Sequence, residues 1–199
     1  EVKTDVFRAV INSDGGTIAR LELSQYLDQT SQHGLVEWFM RLIGRPVAPA
    51  EVRPVTLMED GSPATRYVAQ TGLLNPDDKG PHFPTHLTPM RLKEGPLTLA
   101  DGQDTLEVSF ESEVQGGLKY VKTYVFKRGD YVIRVRHQVV NVRDQPREPQ
   151  LYLQLVRHGT VPGTTMFGTN TFTGPAFYTQ EKKFHKVSFE DIAKKKAEM

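Results

Sequence analysis

The 199-residue sequence carries 25 lysines and arginines against 24 aspartates and glutamates, and it contains no cysteine. This balance argues against a protein that works mainly on nucleic acid, because phosphate contacts require a clear basic excess. The missing cysteines exclude disulfides, thiolate zinc sites and cysteine nucleophiles. No run of about 18 apolar residues predicts a membrane-spanning helix. We expect one domain over residues 1–199, with a core of its own.

The first predicted elements are two β-strands, at residues 6–11 and 18–23. They flank Asp14-Gly15-Gly16, where the glycines can supply the positive φ angles of a tight turn. These features predict a β-hairpin near the start of the chain.

The next predicted element is a helix at 34–43, where dense apolar residues form a broad stripe. A helix of this length must dock on something, because it is marginal alone. It would cap an end or an edge of the sheets. Alternatively, it would lie against a membrane surface or a partner, with Trp38 and Phe39 as anchors. A second short helix is predicted to begin near Ser188 or Phe189.

Alternation with a period of two continues through the second half of the chain. It predicts strands at 105–111, 118–127, 131–142 and 151–156. Apolar residues on one face and polar residues on the other favour antiparallel sheets packed as a sandwich. The fold class is therefore all-β, with one or two short helices. The residues that share the apolar faces are Leu106, Val108, Phe110, Leu118, Tyr120, Tyr124, Phe126, Tyr131, Ile133, Val135, Leu151, Leu153 and Leu155.

An Arg128-Gly129-Asp130 tripeptide joins the strands at 118–127 and 131–142. Such a tripeptide can mark an adhesion site. Glycine and aspartate are also the residues that a hairpin loop needs for its backbone angles. We therefore interpret the tripeptide as a turn.

The histidines do not form a catalytic or metal-binding pattern. His82 and His86 have a spacing that can hold zinc on a helix, but Pro81 and Pro84 argue against a helix there. His137 is predicted to be a half-buried residue of a sheet. No serine-nucleophile motif or phosphate-binding loop occurs. We predict no catalytic residue, no metal and no cofactor.

A stretch at 157–180 combines glycine and threonine with aromatic residues and a methionine. Such a composition is typical of recognition surfaces, where aromatic side chains supply contact area. The alternative is a set of short strands whose aromatic side chains point into the core. The residues predicted to bind a partner are Met166, Phe167, Phe172, Phe177 and Tyr178, and more weakly Trp38 and Phe39.

Three stretches, in order along the chain, resemble one known family. The segment at 122–141, KTYVFKRGDYVIRVRHQVVN, resembles the mid-domain signature of the large periplasmic domain of Gram-negative YidC membrane-protein insertases. The segment at 2–23, VKTDVFRAVINSDGGTIARLEL, is similar to the start of that domain. The segment at 172–192, FTGPAFYTQEKKFHKVSFEDI, is similar to the part after its middle sheet. YVAQTGLL at 67–74 agrees as well.

This resemblance implies a β-supersandwich similar to galactose mutarotase-like proteins, held on the periplasmic side of the bacterial inner membrane. It implies a non-catalytic part of a multi-pass insertase that binds no cofactor. Its implied partners are the Sec translocon with its SecD and SecF accessory proteins, and nascent inner-membrane proteins. The resemblance alone transfers no mutarotase activity, since function depends on a site and not on a fold.

Two departures from the family pattern matter. Residues 32–54 form a longer stretch than usual, so we expect a lineage-specific insertion there. The family domain continues beyond the equivalent of Met199, so we expect this chain to be truncated at its C-terminus. A missing strand would leave an edge of unpaired backbone groups. We then expect dimerisation or domain swapping through that edge.

The leading hypothesis is a periplasmic scaffold or docking surface for Sec accessory proteins, and for substrate segments. The alternative is a carbohydrate- or small-ligand-binding module on a mutarotase-like sandwich. A cleft lined by tryptophan or tyrosine beside acidic or amide groups would favour that alternative.

Overall fold

The computed structural model describes residues 1–28, 39–40, 42–44, 52–77, 79–158, 172, 174–181 and 183–194. The chain divides into two compact units, Glu1–Val156 and Arg157–Met199.

The described residues are dominated by β-strands, with one short helix of defined bounds. The strands are β1 (Val2–Lys3), β2 (Phe7–Ile11), β3 (Ile18–Asp28), β4 (Arg53–Glu59), β5 (Tyr67–Leu74), β6 (Met90–Leu92), β7 (Thr105–Ser112), β8 (Leu118–Lys127), β9 (Arg134–Asn141), β10 (Gln150–Arg157), β11 (Ala176–Thr179) and β12 (Lys183–Lys186), and the helix is α1 (Phe189–Ala193).

Two sheets form the first unit. One has the order β1-β2-β3-β4-β5-β10 and the other the order β6-β7-β8-β9. The neighbours along β1 to β5 and along β6 to β9 pair antiparallel. The sheets enclose one hydrophobic core, with residues contributed by both. The all-β, mainly antiparallel fold predicted from the sequence is therefore confirmed.

The alternation of β7 and β8 predicted the core correctly. All seven apolar residues assigned to their inner faces are buried, and Tyr120 is fully enclosed. Residues of the first sheet belong to the same core, among them Phe7, Ala9 and Leu21. Burying such side chains is the main force that joins two sheets, at roughly 25 cal/mol for each Å² of apolar surface.

The apolar face predicted for 131–142 was largely wrong about burial: β9 begins at Arg134, and Tyr131 and Val135 are 41% and 38% exposed. Among the described residues β9 is the last strand of its sheet, so its side chains have a neighbouring strand on one side. Ile133 packs partly buried against the core. Val135 lies opposite Tyr124, and His137 lies opposite Lys122 on β8. Residues directly opposite each other in an antiparallel pair point to the same side. His137 is half-buried, as predicted.

The alternation of β10 was interpreted the wrong way round. Leu151, Leu153 and Leu155 were expected in the core, but they are 54%, 71% and 63% exposed. Tyr152 and Gln154 are the half-buried residues instead. Their polar groups find hydrogen-bond partners there: the Tyr152 hydroxyl accepts from the amide of His86, and the Gln154 side chain donates to that of Gln70 on β5. Apolar patterning does not reveal such bonds.

Only part of the predicted helix at 34–43 belongs to the described residues. Phe39, Met40 and Leu42 have helical backbone there, and the amide of Ile43 donates to the Phe39 carbonyl at 3.1 Å. Trp38 and most of the predicted 32–54 insertion lie outside the described residues.

The second predicted helix is confirmed as α1. Its N-cap is Ser188, whose hydroxyl accepts a hydrogen bond from the amide of Asp191 at 3.0 Å. This cap satisfies a donor that the helix itself leaves without a partner.

Candidate functional site

The described part of the second unit presents a β-hairpin with aromatic side chains on one face. Tyr178 of β11 lies opposite Phe184 of β12, and the two are 66% and 63% exposed. The ammonium of Lys186 lies 5.6 Å from the centre of the Phe184 ring and 5.1 Å from that of Phe172. We call Phe172, Tyr178, Phe184 and Lys186 the aromatic-lysine face.

The local sequence explains this arrangement. Alternation places Tyr178 and Phe184 on one side of the hairpin and Phe177 and His185 on the other. Each ammonium–ring contact contributes roughly 0.5–1 kcal/mol at an exposed site. The face therefore offers large, rigid rings together with positive charge. Such a surface suits a partner that brings apolar groups and carboxylates.

The predicted binding residues differ in their exposure to solvent. Phe172 is 40% exposed and Tyr178 lies on the aromatic-lysine face, whereas Phe177 is half-buried with its ring 5.3 Å from that of His185. Phe39 is 55% exposed in the first unit. Met166, Phe167 and Trp38 lie outside the described residues. The binding role of all these residues stays a prediction.

Sequence reasoning missed Phe184 and Lys186. Both belong to the four-residue strand β12, which follows the stretch singled out for its glycine and threonine content. Period-two alternation in the segment KFHK was the signal that could have found them.

The Arg128-Gly129-Asp130 tripeptide forms a turn, as predicted. Gly129 has φ +69°, and the amide of Asp130 donates to the Lys127 carbonyl at 3.2 Å. The Arg128 guanidinium donates to the carbonyls of Gln103 and Ala100 at 3.0 and 2.7 Å. The arginine that an adhesion motif would present is thus engaged within the chain.

Polar side chains of β8 lie within the core of the first unit and hydrogen-bond to backbone carbonyls in a turn of the other sheet. We call these side chains and their partners the polar layer. Lys122 is 1% exposed, and its ammonium donates to the carbonyl of Gly15 at 2.6 Å. Burial lowers the pKa of Lys122 to about 8. The hydroxyl of Tyr124 donates to the carbonyl of Gly16, also at 2.6 Å, and burial raises the pKa of Tyr124. These bonds attach β8 to the turn between β2 and β3.

Two further contacts extend this polar layer. The hydroxyl of Tyr120 lies 2.7 Å from Nδ1 of His137. Burial raises the pKa of Tyr120, whereas burial and then the charge of Lys122 lower the pKa of His137. The tyrosine therefore stays protonated and the histidine neutral near pH 7. His86 lies 2.5 Å from the hydroxyl of Tyr152.

The polar layer contains histidine, tyrosine and lysine, which also occur in catalytic sites, but their hydrogen bonds differ from those of a catalytic site. Its histidines pair with tyrosine hydroxyls, and its lysine points at backbone carbonyls. Within the ranges that the structure describes, no group of three or more His, Cys, Asp or Glu residues could hold a metal ion. The layer is best understood as a connection between the sheets.

The sequence of the chain is similar to a known protein family and to proteins from other bacteria. The YidC periplasmic domain family matches residues 47–199. The chain is 42% identical over 195 residues to the "Membrane protein insertase YidC" of Burkholderia thailandensis and 41% identical over 195 residues to that of Bordetella pertussis.

The chain belongs to the YidC periplasmic domain family. The resemblance inferred from the three sequence stretches is thereby confirmed. Each alignment covers 98% of this chain, but the chain spans only about 30% of the length of either YidC relative. In the described residues, no helix is long and apolar enough to cross a membrane.

Proposed function

We propose that the chain is the non-catalytic periplasmic domain of a multi-pass inner-membrane insertase. In this proposal it serves as a scaffold or docking surface for the Sec translocon, through SecD and SecF, and for segments of nascent inner-membrane proteins. Membership of the YidC periplasmic domain family supports the location. The name "Membrane protein insertase YidC" of its relatives supports the process.

One observation carries the docking role: the exposure of the aromatic-lysine face. Residues that dominate the energy of protein interfaces are enriched in large aromatic side chains. Tyr178 and Phe184 expose about two thirds of their surface side by side, beside the charge of Lys186. A partner that covers both rings would gain apolar burial without any rearrangement of the hairpin.

A direct binding measurement tests the docking role. Purified SecD–SecF complex in detergent is passed over the immobilised 199-residue chain by biolayer interferometry. We expect saturable binding that weakens as salt is raised, because Lys186 contributes charge to the face. An empty surface and a chain unfolded by heat serve as controls. Binding no stronger to the folded chain than to these controls would contradict the proposal.

The carbohydrate-binding alternative has less support. Two cavities of the first unit carry no tryptophan or tyrosine among their described lining residues. Tyrosines 120, 124 and 152 hydrogen-bond within the chain. Neither of these two cavities therefore offers a sugar ring a tryptophan or tyrosine surface.

A further inference from the structure

A cavity of about 620 Å³ opens at one end of the first unit. Its lining residues are distant in sequence from those of the aromatic-lysine face. The turn between β7 and β8 lines it with Gly116 and Gly117, and the β9–β10 connection lines it with Arg143 and Arg147. Its volume is in the range of cavities that bind organic ligands, roughly 300–1,000 Å³.

Two glycines bring the arginine loop against the turn. Gly116 and Gly117 have φ angles of +61° and +86°, which other residues rarely adopt. A Cβ atom on Gly117 would lie 2.8 Å from Cγ of Arg143, so the missing side chain makes room for the arginine stem. The amide of Val142 donates to the Gly117 carbonyl at 3.0 Å. The backbone thus places Arg143 at the cavity wall.

Hydrogen bonds within the loop that carries both arginines also fix its conformation. The side-chain amide of Asn141 donates to the carbonyl of Gln145 at 2.8 Å, and its oxygen accepts from the amide of Arg143 at 3.0 Å. The cavity wall is therefore preorganised, which reduces the entropy lost on binding.

The two arginines give the residues that line the cavity more positive than negative charge. Arg147 Nε is shielded from solvent and has no hydrogen-bond partner among the described residues. A buried donor without a partner is unfavourable and is normally satisfied. Asp144 also lines the cavity, but two guanidinium groups against one carboxylate leave a positive excess.

We propose that this cavity binds an acidic segment of an extended peptide, with carboxylates of the peptide accepting from the guanidinium groups of Arg143 and Arg147. Guanidinium groups match carboxylates in shape and charge. The volume exceeds what a single oxyanion fills, and Asp144 and Gln145 can pair with backbone amides of a peptide. The inference rests on the proposed docking role and names the chemistry of a segment that would dock.

The test uses the 199-residue chain labelled with ¹⁵N. The probe is an end-blocked heptapeptide with two central glutamates, and its matched control carries glutamines instead. Titration with the glutamate peptide is expected to shift the Arg147 Nε–Hε cross-peak saturably. The glutamine peptide is expected to bind roughly 10- to 100-fold more weakly, as the loss of charge-assisted hydrogen bonds predicts.

Variants locate the site. Arg147→Gln is expected to weaken binding of the glutamate peptide by roughly 10- to 100-fold, and Arg147→Lys by less, because lysine keeps the charge and loses the planar donors. Arg8→Gln, at an exposed residue of β2, is the control and is expected to bind as the wild type does. The cross-peak titration needs no variant, so an unfolded Arg147→Gln chain would not prevent a decision.

Three results would overturn the inference. They are equal affinity for the two peptides, a cross-peak that stays in place while other residues shift, and binding of inorganic phosphate without binding of the glutamate peptide. Failure here with intact SecD–SecF binding would leave the proposed function standing. Peptide binding without SecD–SecF binding would instead show that the cavity binds acidic peptides and would count against the proposed docking of SecD–SecF.

Discussion

The ammonium of Lys122 on β8 donates to the carbonyl oxygen of Gly15 at 2.6 Å, so a strand of one sheet holds the turn of the other. Tyr124, two residues along the same strand, makes the equivalent bond to Gly16. The inner face of β8 thereby joins the sheets by direct hydrogen bonds as well as by apolar packing.

Lys122 makes the stability of the chain depend on pH in the alkaline range. Its folded pKa is about 8 and its ordinary value is 10.5, so the unfolded chain binds more protons between these limits. The free energy of unfolding should therefore rise from about pH 8 to about pH 10, within a limit of roughly 3 kcal/mol. Above about pH 10 it should fall, because the raised pKa of Tyr124 keeps that phenol protonated only in the folded chain. Urea unfolding at several pH values measures both effects.

The matched variant is Lys122→Met, which has a similar length and no charge. It should lose the rise between about pH 8 and pH 10 and keep the fall above pH 10. A wild-type profile that is flat over this window, or a variant that keeps the wild-type slope, would count against a buried charge at Lys122.

Replacing Gly15 tests how closely the turn is packed. Gly15 has φ +60°, and a Cβ atom there would overlap the carbonyl oxygen of His86. Gly15→Ala should lower the free energy of unfolding by roughly 3 kcal/mol, from the left-handed backbone and the steric overlap together. Gly102 has φ +80° with open space around it, so Gly102→Ala should cost only about 1 kcal/mol. Equal losses in urea unfolding would contradict the overlap.

The sequence predicted this turn but not its role. Asp14-Gly15-Gly16 between two strands indicates positive φ angles by local rules alone. The bond to Lys122 joins residues 107 positions apart, and the alternation of β8 even suggests an apolar residue at this point. A buried lysine breaks that pattern, and the carbonyls that compensate it become visible only when the sheets are packed.

The exposed leucines of β10 lead to a prediction about self-association. Leu151, Leu153 and Leu155 form one apolar row, and in the described residues β10 pairs only with β5. We propose that a second copy of the chain packs against this face of β10, which would bury the row.

Analytical ultracentrifugation should show a dimer whose fraction grows with concentration. Leu153→Glu with Leu155→Glu should shift the chain to monomer without loss of stability, because both side chains face solvent. Leu87→Glu is the control, since Leu87 is 69% exposed and lies outside β10. A wild-type chain that stays monomeric at millimolar concentration would exclude the dimer.

The candidate site was less predictable than the fold. Aromatic composition drew attention to Phe172, Phe177 and Tyr178, but composition cannot say which ring faces solvent. The pairing of β11 with β12 decides that Tyr178 is exposed beside Phe184, while Phe177 packs on His185. The cavity at Arg143 and Arg147 depends on the β7–β8 turn and the β9–β10 connection meeting in space, which spacing along the chain does not indicate.

The most direct measurement is the affinity of SecD–SecF complex for the Tyr178→Ser, Phe184→Ser double variant, taken with its melting temperature. We expect the affinity to fall at least about 10-fold, because two interface aromatics each contribute roughly 1 kcal/mol or more. The melting temperature should stay within about 2 °C, since both rings are exposed. Leu87→Ser should change neither quantity. Wild-type affinity in the folded double variant would contradict docking through the aromatic-lysine face.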